Sequence, residues 1–301
     1  MLKVRLATLF SNLYLWAFGY ARKFLLRRWG WKDVPFRRMA RKLNQFIEPL
    51  VVATLPNPVK VSGLTIYWSP LALPFVRDFI VGTMEKDFRV FERLLRPGAT
   101  VLDLGAHIGL YSLYAAKIVG PKGRIYAFEP DPRIYPLLVK NIDVNGFSGV
   151  IHAEQKAVLH VNGPVSFYLS GPQEPGYSSI YPTGIKDPQC IKVEAVTLDS
   201  FLASLGWPAI DIIKMDIEGS ELLAFQGMKE VVRRNPQLKM IVEFGVSRFG
   251  GVEQAFLFFD ALRSLGFSRF STILEPNKLI TTREDIIWLF NQPIQNILCE
   301  R

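Results

Sequence analysis

The sequence predicts an α/β protein with a mostly parallel sheet covered by helices on both faces. Three observations carry this. Short apolar runs alternate with amphipathic stretches from residue 100 onward. Two of those runs end in sharp turns, at Gly105 and at Glu129. Apolar residues make up 49% of the 301 residues, enough for a large core.

Residues 1–42 hold eleven Lys and Arg against the single acid Asp33, a net +10 that leaves −1 on the other 259 residues. Basicity confined to a tail puts no basic stripe on a folded body, so no nucleic-acid partner is expected. Residues 6–21 are uncharged and rich in aromatics. They are too few for a spanning helix, and Arg22 and Lys23 follow them instead of a small-residue cleavage site. Leu2, Leu6, Leu9, Leu13, Trp16, Tyr20 and Phe24 fall on one helical stripe. That stripe suits peripheral membrane contact, or packing on the body or on a second copy in a homo-oligomer. Residues 1–50 therefore read as a basic, aromatic-rich N-terminal helical extension. Cys190 and Cys299 are far apart and in no metal-ligand pattern, which favours a reducing, cytoplasmic setting, with membrane association through the tail left open.

Residues 51–95 read as a connecting hairpin and helix. Prolines 49, 56, 58, 70 and 74 argue against long helices between about residues 49 and 74. Residues 59–62 and 64–68 flank Gly63 as a hairpin, and 78–95 have helical spacing closed by Arg96-Pro97-Gly98. The body, 96–301, reads as strands at 100–104, 124–128, 150–158, 191–196, 210–215 and 240–244. Helices are expected at 110–119, 133–145, 221–234 and 253–265. An edge hairpin is expected at 165–169, and strand-like pieces at 269–274 and 285–290.

The segment from Val101 to Gly109 is the most informative. A buried strand runs into Gly105 and a helix starts near Gly109, so the glycines allow a sharp bend and leave main chain bare for a ligand. Such crevices lie at the carboxyl ends of strands. The spacing is Gly-x-x-x-Gly, with His107 where a dinucleotide fingerprint has its second glycine. Asp103 at the strand end suits a cationic ligand better than a pyrophosphate. The next strand ends in Phe128-Glu129-Pro130-Asp131, where Glu129 can accept ribose hydroxyls and Pro130 stiffens the turn. The combination resembles the S-adenosylmethionine (SAM) site of the Rossmann-like methyltransferases. An NAD-dependent Rossmann enzyme is the alternative, disfavoured by His107. A non-catalytic membrane-surface protein on the same fold is a third reading, which loss of Asp103, Gly105 or Glu129 would have supported.

Lys214, Asp216 and Glu218 follow at alternate positions at the end of an apolar strand. Period two places them on one face, and buried charges need partners or a ligand. Glu218 and Glu221 can instead cap the following helix.

Lys214-Met215-Asp216-Ile217-Glu218-Gly219 matches the Lys-x-Asp-x-Glu-Gly segment of the FkbM-type methyltransferases, which this sequence resembles over about residues 75–290. Ala157-Val158, Gly176-Tyr177-Ser178-Ser179-Ile180, residues 196–201 and Ile241-Val242-Glu243-Phe244 agree with it. The resemblance implies a Rossmann-like class I methyltransferase fold with a seven-stranded sheet. It implies SAM as cofactor and transfer to a hydroxyl of a sugar, glycan or polyketide-like small molecule. Asp103, Gly105, Ala106, His107, Gly109, Glu129, Pro130 and Ala157 are the expected cofactor set. Asp216 is the first candidate to contact the acceptor, with Glu218 and Glu243 next and Lys214 holding these carboxylates ionised. His107 either touches the cofactor, acts as a base, or bonds locally. Asp216 with Glu243 is a minimal Mg²⁺ pair, but no Asp-Asn follows Glu243, so no metal is expected.

Overall fold

The structure is a computed structural model that describes residues 55–301 except 81, 83, 172–177, 183–186, 246–250, 274 and 293–294. The expected N-terminal extension lies outside the described residues. The chain divides after Glu85 into two compact units. In the first, β1 (Val59–Val61) and β2 (Leu64–Ile66) form the expected antiparallel hairpin. It is followed by α1 (Leu73–Ile80). Pro74 is tolerated there because the first helical turn needs no N–H from it. The helix expected over 78–95 is interrupted at Gly82, with φ 71°; its second part, α2 (Glu85–Leu94), belongs from residue 86 on to the second unit.

The second unit contains a seven-stranded sheet. Its first half is β3 (Thr100–Leu104), α3 (Leu110–Val119), β4 (Arg124–Phe128), α4 (Tyr135–Val144) and β5 (Ile151–Glu154). A separate three-stranded sheet follows, of β6 (Ala157–Val158), β7 (Gly163–Leu169) and β8 (Gln189–Val196), in the order β6-β8-β7. After α5 (Leu198–Ser204), the main sheet resumes with β9 (Ile212–Met215), α6 (Glu221–Gln226), α7 (Lys229–Arg234) and β10 (Lys239–Phe244). It ends with α8 (Val252–Ser264), β11 (Arg269–Thr272), α9 (Arg283–Phe290) and β12 (Gln295–Glu300).

The main sheet runs β11-β12-β10-β9-β3-β4-β5, and only β12 is antiparallel to its neighbours. From β3 the chain steps outward through β4 to β5, then returns to the other side of β3 and steps outward through β9 to β10. Right-handed crossovers in opposite directions put their helices on opposite faces. They also leave a switch point between β3 and β9, where open α/β sheets bind ligands. Leu102, Leu104, Ile213, Met215, Met240 and Val242 from the central strands are buried in one apolar cluster with Phe258 and Phe259 of α8. Each such side chain contributes about 1.5–3 kcal/mol of burial energy.

Four expectations change. The run 150–158 is two strands, β5 and β6, in different sheets. Residues 165–169 do form an edge hairpin strand, β7 paired antiparallel with β8, but it belongs to a separate small sheet. The helix over 221–234 breaks at Gly227, where any Cβ would come within 2.2 Å of the Leu159 carbonyl oxygen. Residues 285–290 are helical, not extended, because Thr282 and Asp285 form a capping box that starts α9. The closing strand is β12 instead.

Candidate active site

Two turns meet at the switch point. The first leaves β3 through Gly105, whose φ of 79° is left-handed, and enters α3 at Gly109, with φ 92°. The Gly105 and Ala106 N–H groups both donate to the Phe128 carbonyl at the end of β4, at 3.0 and 2.8 Å. The space beside Gly105 is not left to a ligand. A Cβ there would lie 1.8 Å from the Asp216 carbonyl oxygen, so the glycine is required by the neighbouring turn. At Gly109 a Cβ would meet Leu138 Cδ1 at 2.7 Å, which ties this turn to α4.

Glu129 anchors the same turn. Its Oε2 accepts from the His107 N–H at 2.9 Å and its Oε1 from the Asp131 N–H at 2.8 Å. Burial pushes its carboxyl up to about 8, against these two donors, which pull it down. His107 is itself left-handed, with φ 53°. Burial drives its imidazole down to about 4, against the pull of Asp131 and Asp216, so the ring is neutral at pH 7. Pro130 completes this turn at the end of β4. Ala157 packs in the apolar cluster of the small sheet with Phe167 and Val193.

Asp103 is only 1% exposed and lies opposite Lys214 in the β3–β9 register. Its Oδ2 accepts from the Ser112 hydroxyl at 2.5 Å, whereas Oδ1 is buried without a hydrogen-bond partner among the described residues. A buried acceptor of this kind calls for a ligand donor or an ion. It fits a cationic ligand in the crevice, as does the carboxyl of Glu129 for hydroxyls.

The second turn carries the charged signature. Lys214 is 2% exposed, and its ammonium lies 3.0 Å from Asp216 Oδ2 and 4.6 Å above the Tyr111 ring. Burial lowers its pKa, but Asp216, Asp103 and Glu243 together outweigh that and hold it above the ordinary lysine value. The Asp216 side chain is 25% exposed and so is reachable from solvent. Strand periodicity brings in Lys214 and Asp216 but not Glu218, because β9 ends at Met215. Glu218 returns to the group through a left-handed turn, with φ 59° at Glu218 and 92° at Gly219. Asp216, Glu218 and Glu243 each offer a carboxylate oxygen, and these lie within 4.8 Å of one another, a spacing a divalent cation can use. Burial and the neighbouring Asp216 push the Glu243 carboxyl well above its ordinary value, against Lys214. Glu221 laces the turn: its Oε1 accepts from the Ile217 and Gly219 N–H groups at 3.2 and 3.3 Å.

Several residues of this site were not expected. The Tyr111 hydroxyl donates to Asp87 Oδ2 at 2.7 Å, and the Asn296 amide donates to the same oxygen at 2.9 Å. These three close the buried side of the Lys214 cluster, from α2, α3 and β12. Arg133 chelates Asp131, with Nη2–Oδ2 at 2.6 Å, and donates to the Ser170 carbonyl. The Asp following Glu129-Pro130 was in view, but nothing in its spacing pointed to this use.

The family model described as the methyltransferase FkbM domain matches residues 103–269, more than half of the chain and all of both turns. Methyltransferase sdnD of Sordaria araneosa is 28% identical over 164 residues, covering 43% of this chain and 60% of that protein. The 2-O-methyltransferase NoeI of Sinorhizobium fredii is 24% identical over 159 residues, covering 48% of this chain and 64% of that protein. The hexuronic acid methyltransferase AglP of Haloferax volcanii is 25% identical over 131 residues, covering 44% of this chain and 50% of that protein. The chain thus spans between half and two thirds of the length of these relatives. With the Lys214–Gly219 signature and the Gly105 turn side by side at one switch point, the chain belongs to the FkbM methyltransferase domain family.

Proposed function

We propose that this chain transfers a methyl group from SAM to a hydroxyl oxygen of a saccharide or similar small molecule. One observation carries the reading: the Asp216 backbone packs against Gly105 of the donor turn, while its carboxylate belongs to the acceptor turn. The residues that would hold the donor are Asp103 for its cationic end and Glu129 for its ribose hydroxyls. When bound, SAM supplies an electrophilic methyl on a sulfonium. The protein's part is to orient an oxygen toward that methyl and remove its proton. Asp216, paired with the Lys214 ammonium, would accept the proton of the hydroxyl. Glu243, whose carboxyl is raised by burial and by the neighbouring Asp216, would line the acceptor side beside it. Glu218 closes the third side of the group. The names of NoeI and AglP support a sugar acceptor, and the near-neutral charge of residues 43–301 supports a partner other than nucleic acid.

The test is a labelled-methyl transfer assay on methyl glycosides of hexoses, deoxyhexoses and hexuronic acids, run with and without chelator. Turnover that survives chelation and falls by about 10²–10⁴ in Asp216→Asn supports a carboxylate base. Loss on chelation that Mg²⁺ restores would make the three carboxylates a cation site. Full activity in Asp216→Asn would reject the assignment. No helix among the described residues is long and apolar enough to cross a membrane. Peripheral contact through residues 1–42 remains part of the proposal, and liposome sedimentation with and without them tests it.

A further inference from the structure

We propose that Ser178 and Ser179 are positioning residues for the methyl-transfer site, Ser178 holding the donor turn and Ser179 the acceptor turn. This rests on the reading above. The chain returns beside β7 so that Ser179 pairs with Tyr168, N–H to carbonyl at 3.0 Å one way and 2.7 Å the other. Neighbours in extended chain point to opposite sides. The two hydroxyls accordingly reach two different turns.

Ser179 is buried, and its hydroxyl donates to the Glu218 carbonyl oxygen at 2.8 Å while accepting from the Tyr181 N–H at 3.2 Å. Glu218 is one of five non-glycine residues with positive φ among those described, a conformation that surrounding contacts must hold in place. The Ser179 bond fixes the 218–219 peptide plane. It thereby sets where the Glu218 carboxylate lies beside Asp216 and Glu243. The Ser178 hydroxyl donates to Asp131 Oδ2 at 2.8 Å and accepts from Arg133 Nη2 and the Ser170 N–H, each at 3.1 Å. Asp131 in turn donates its N–H to Glu129 Oε1. Ser178 therefore stands one residue removed from the carboxyl proposed to hold the ribose. A hydroxyl that both donates and accepts is needed at each place. Alanine would lose these bonds but keep the main-chain pairing with Tyr168.

Ser178→Ala, Ser179→Ala and Ser179→Thr separate the roles. The readouts are hydrogen–deuterium exchange, SAM affinity by calorimetry, and methyl transfer to methyl glycosides. Ser179→Ala is expected to speed exchange of the 216–221 peptide about fivefold, the equivalent of one ordinary hydrogen bond. It should lower turnover while leaving SAM affinity within about twofold, and Ser179→Thr should restore both. Ser178→Ala is expected to loosen the 129–134 peptide and weaken SAM binding about fivefold. Equal effects on both turns from either change, no effect from either, or a Ser179→Thr protein that melts normally yet behaves like Ser179→Ala would overturn the assignment. A wild-type protein that binds no SAM would instead overturn the methyl-transfer reading, and exchange would still judge the two serines.

Discussion

Between β3 and β4, turn residues hold one another largely through main chain. Gly105 and Ala106 donate to Phe128, and Glu129 gathers the N–H groups of His107 and Asp131. Between β9 and β10, charged side chains dominate. Asp216, Glu218 and Glu243 gather their carboxylates, Asp216 pairs with the buried Lys214 ammonium, and Glu221 laces the backbone of the turn. The first turn is thus sensitive to shape and the second to charge. The difference matches the proposed tasks, since a nucleoside is gripped by contour and hydrogen bonds while a proton is moved by carboxylates.

The sharpest way to break this contrast is Gly105→Ala. The new Cβ would stand 1.8 Å from the Asp216 carbonyl oxygen on a backbone with φ 79°. A loss of more than about 4 kcal/mol in urea unfolding is expected, from overpacking and backbone strain together. Near-native stability would show that the first turn is not constrained by shape. It also follows that this substitution cannot be used to remove SAM binding cleanly, because the fold goes with it.

Lys214→Met tests the second turn. It would leave Asp103 and Asp216 without their buried counter-charge, at an expected cost of about 3–5 kcal/mol by the same measurement. A cost below about 1 kcal/mol would mean that these carboxylates already carry protons in the wild type.

The smallest effect is in the pH profile. Glu129 and Glu221 are raised by burial to about 8 and about 7. Between pH 6.5 and 8 the folded state therefore binds more protons than the unfolded chain, and stability falls as pH rises. His107, lowered to about 4, works the other way, but mainly below pH 6.5, where the unfolded histidine is protonated. These three groups together give an expected loss of about 2 kcal/mol from pH 6.5 to 8, in the same direction as the raised Glu243 carboxyl. Glu221→Gln should flatten the decline in thermal melting curves, and a profile that rises over this window would contradict the two carboxyl shifts.

Much of the site was legible because its parts stand at the ends of adjacent strands. Gly105, Glu129 and Asp216 each follow a short apolar run, and Lys214 and Glu243 stand one residue before the ends of theirs, so spacing points to them. Glu218 was read by extending strand period past Met215, whereas a left-handed turn brings it back. Asp87 and Asn296 are separated by 209 residues, and neither lies in a pattern that marks it. Their meeting depends on α2 and β12, and the sequence offers a strand-like piece at 285–290 in place of β12. The Thr282–Asp285 capping box was the overlooked signal there. Strand-end spacing points to Gly105, but the contact its missing Cβ makes room for, the Asp216 carbonyl 111 residues on, shows in no local pattern.

The central claim is that a sulfonium nucleoside lies between the Gly105 turn and Glu129. The most direct measurement is a crystal structure with SAM bound. Ribose hydroxyls are expected on the Glu129 carboxyl, the cationic end near Asp103, and the methyl facing Asp216. A nucleoside lodged elsewhere, or bound here with its ribose away from Glu129, would contradict it.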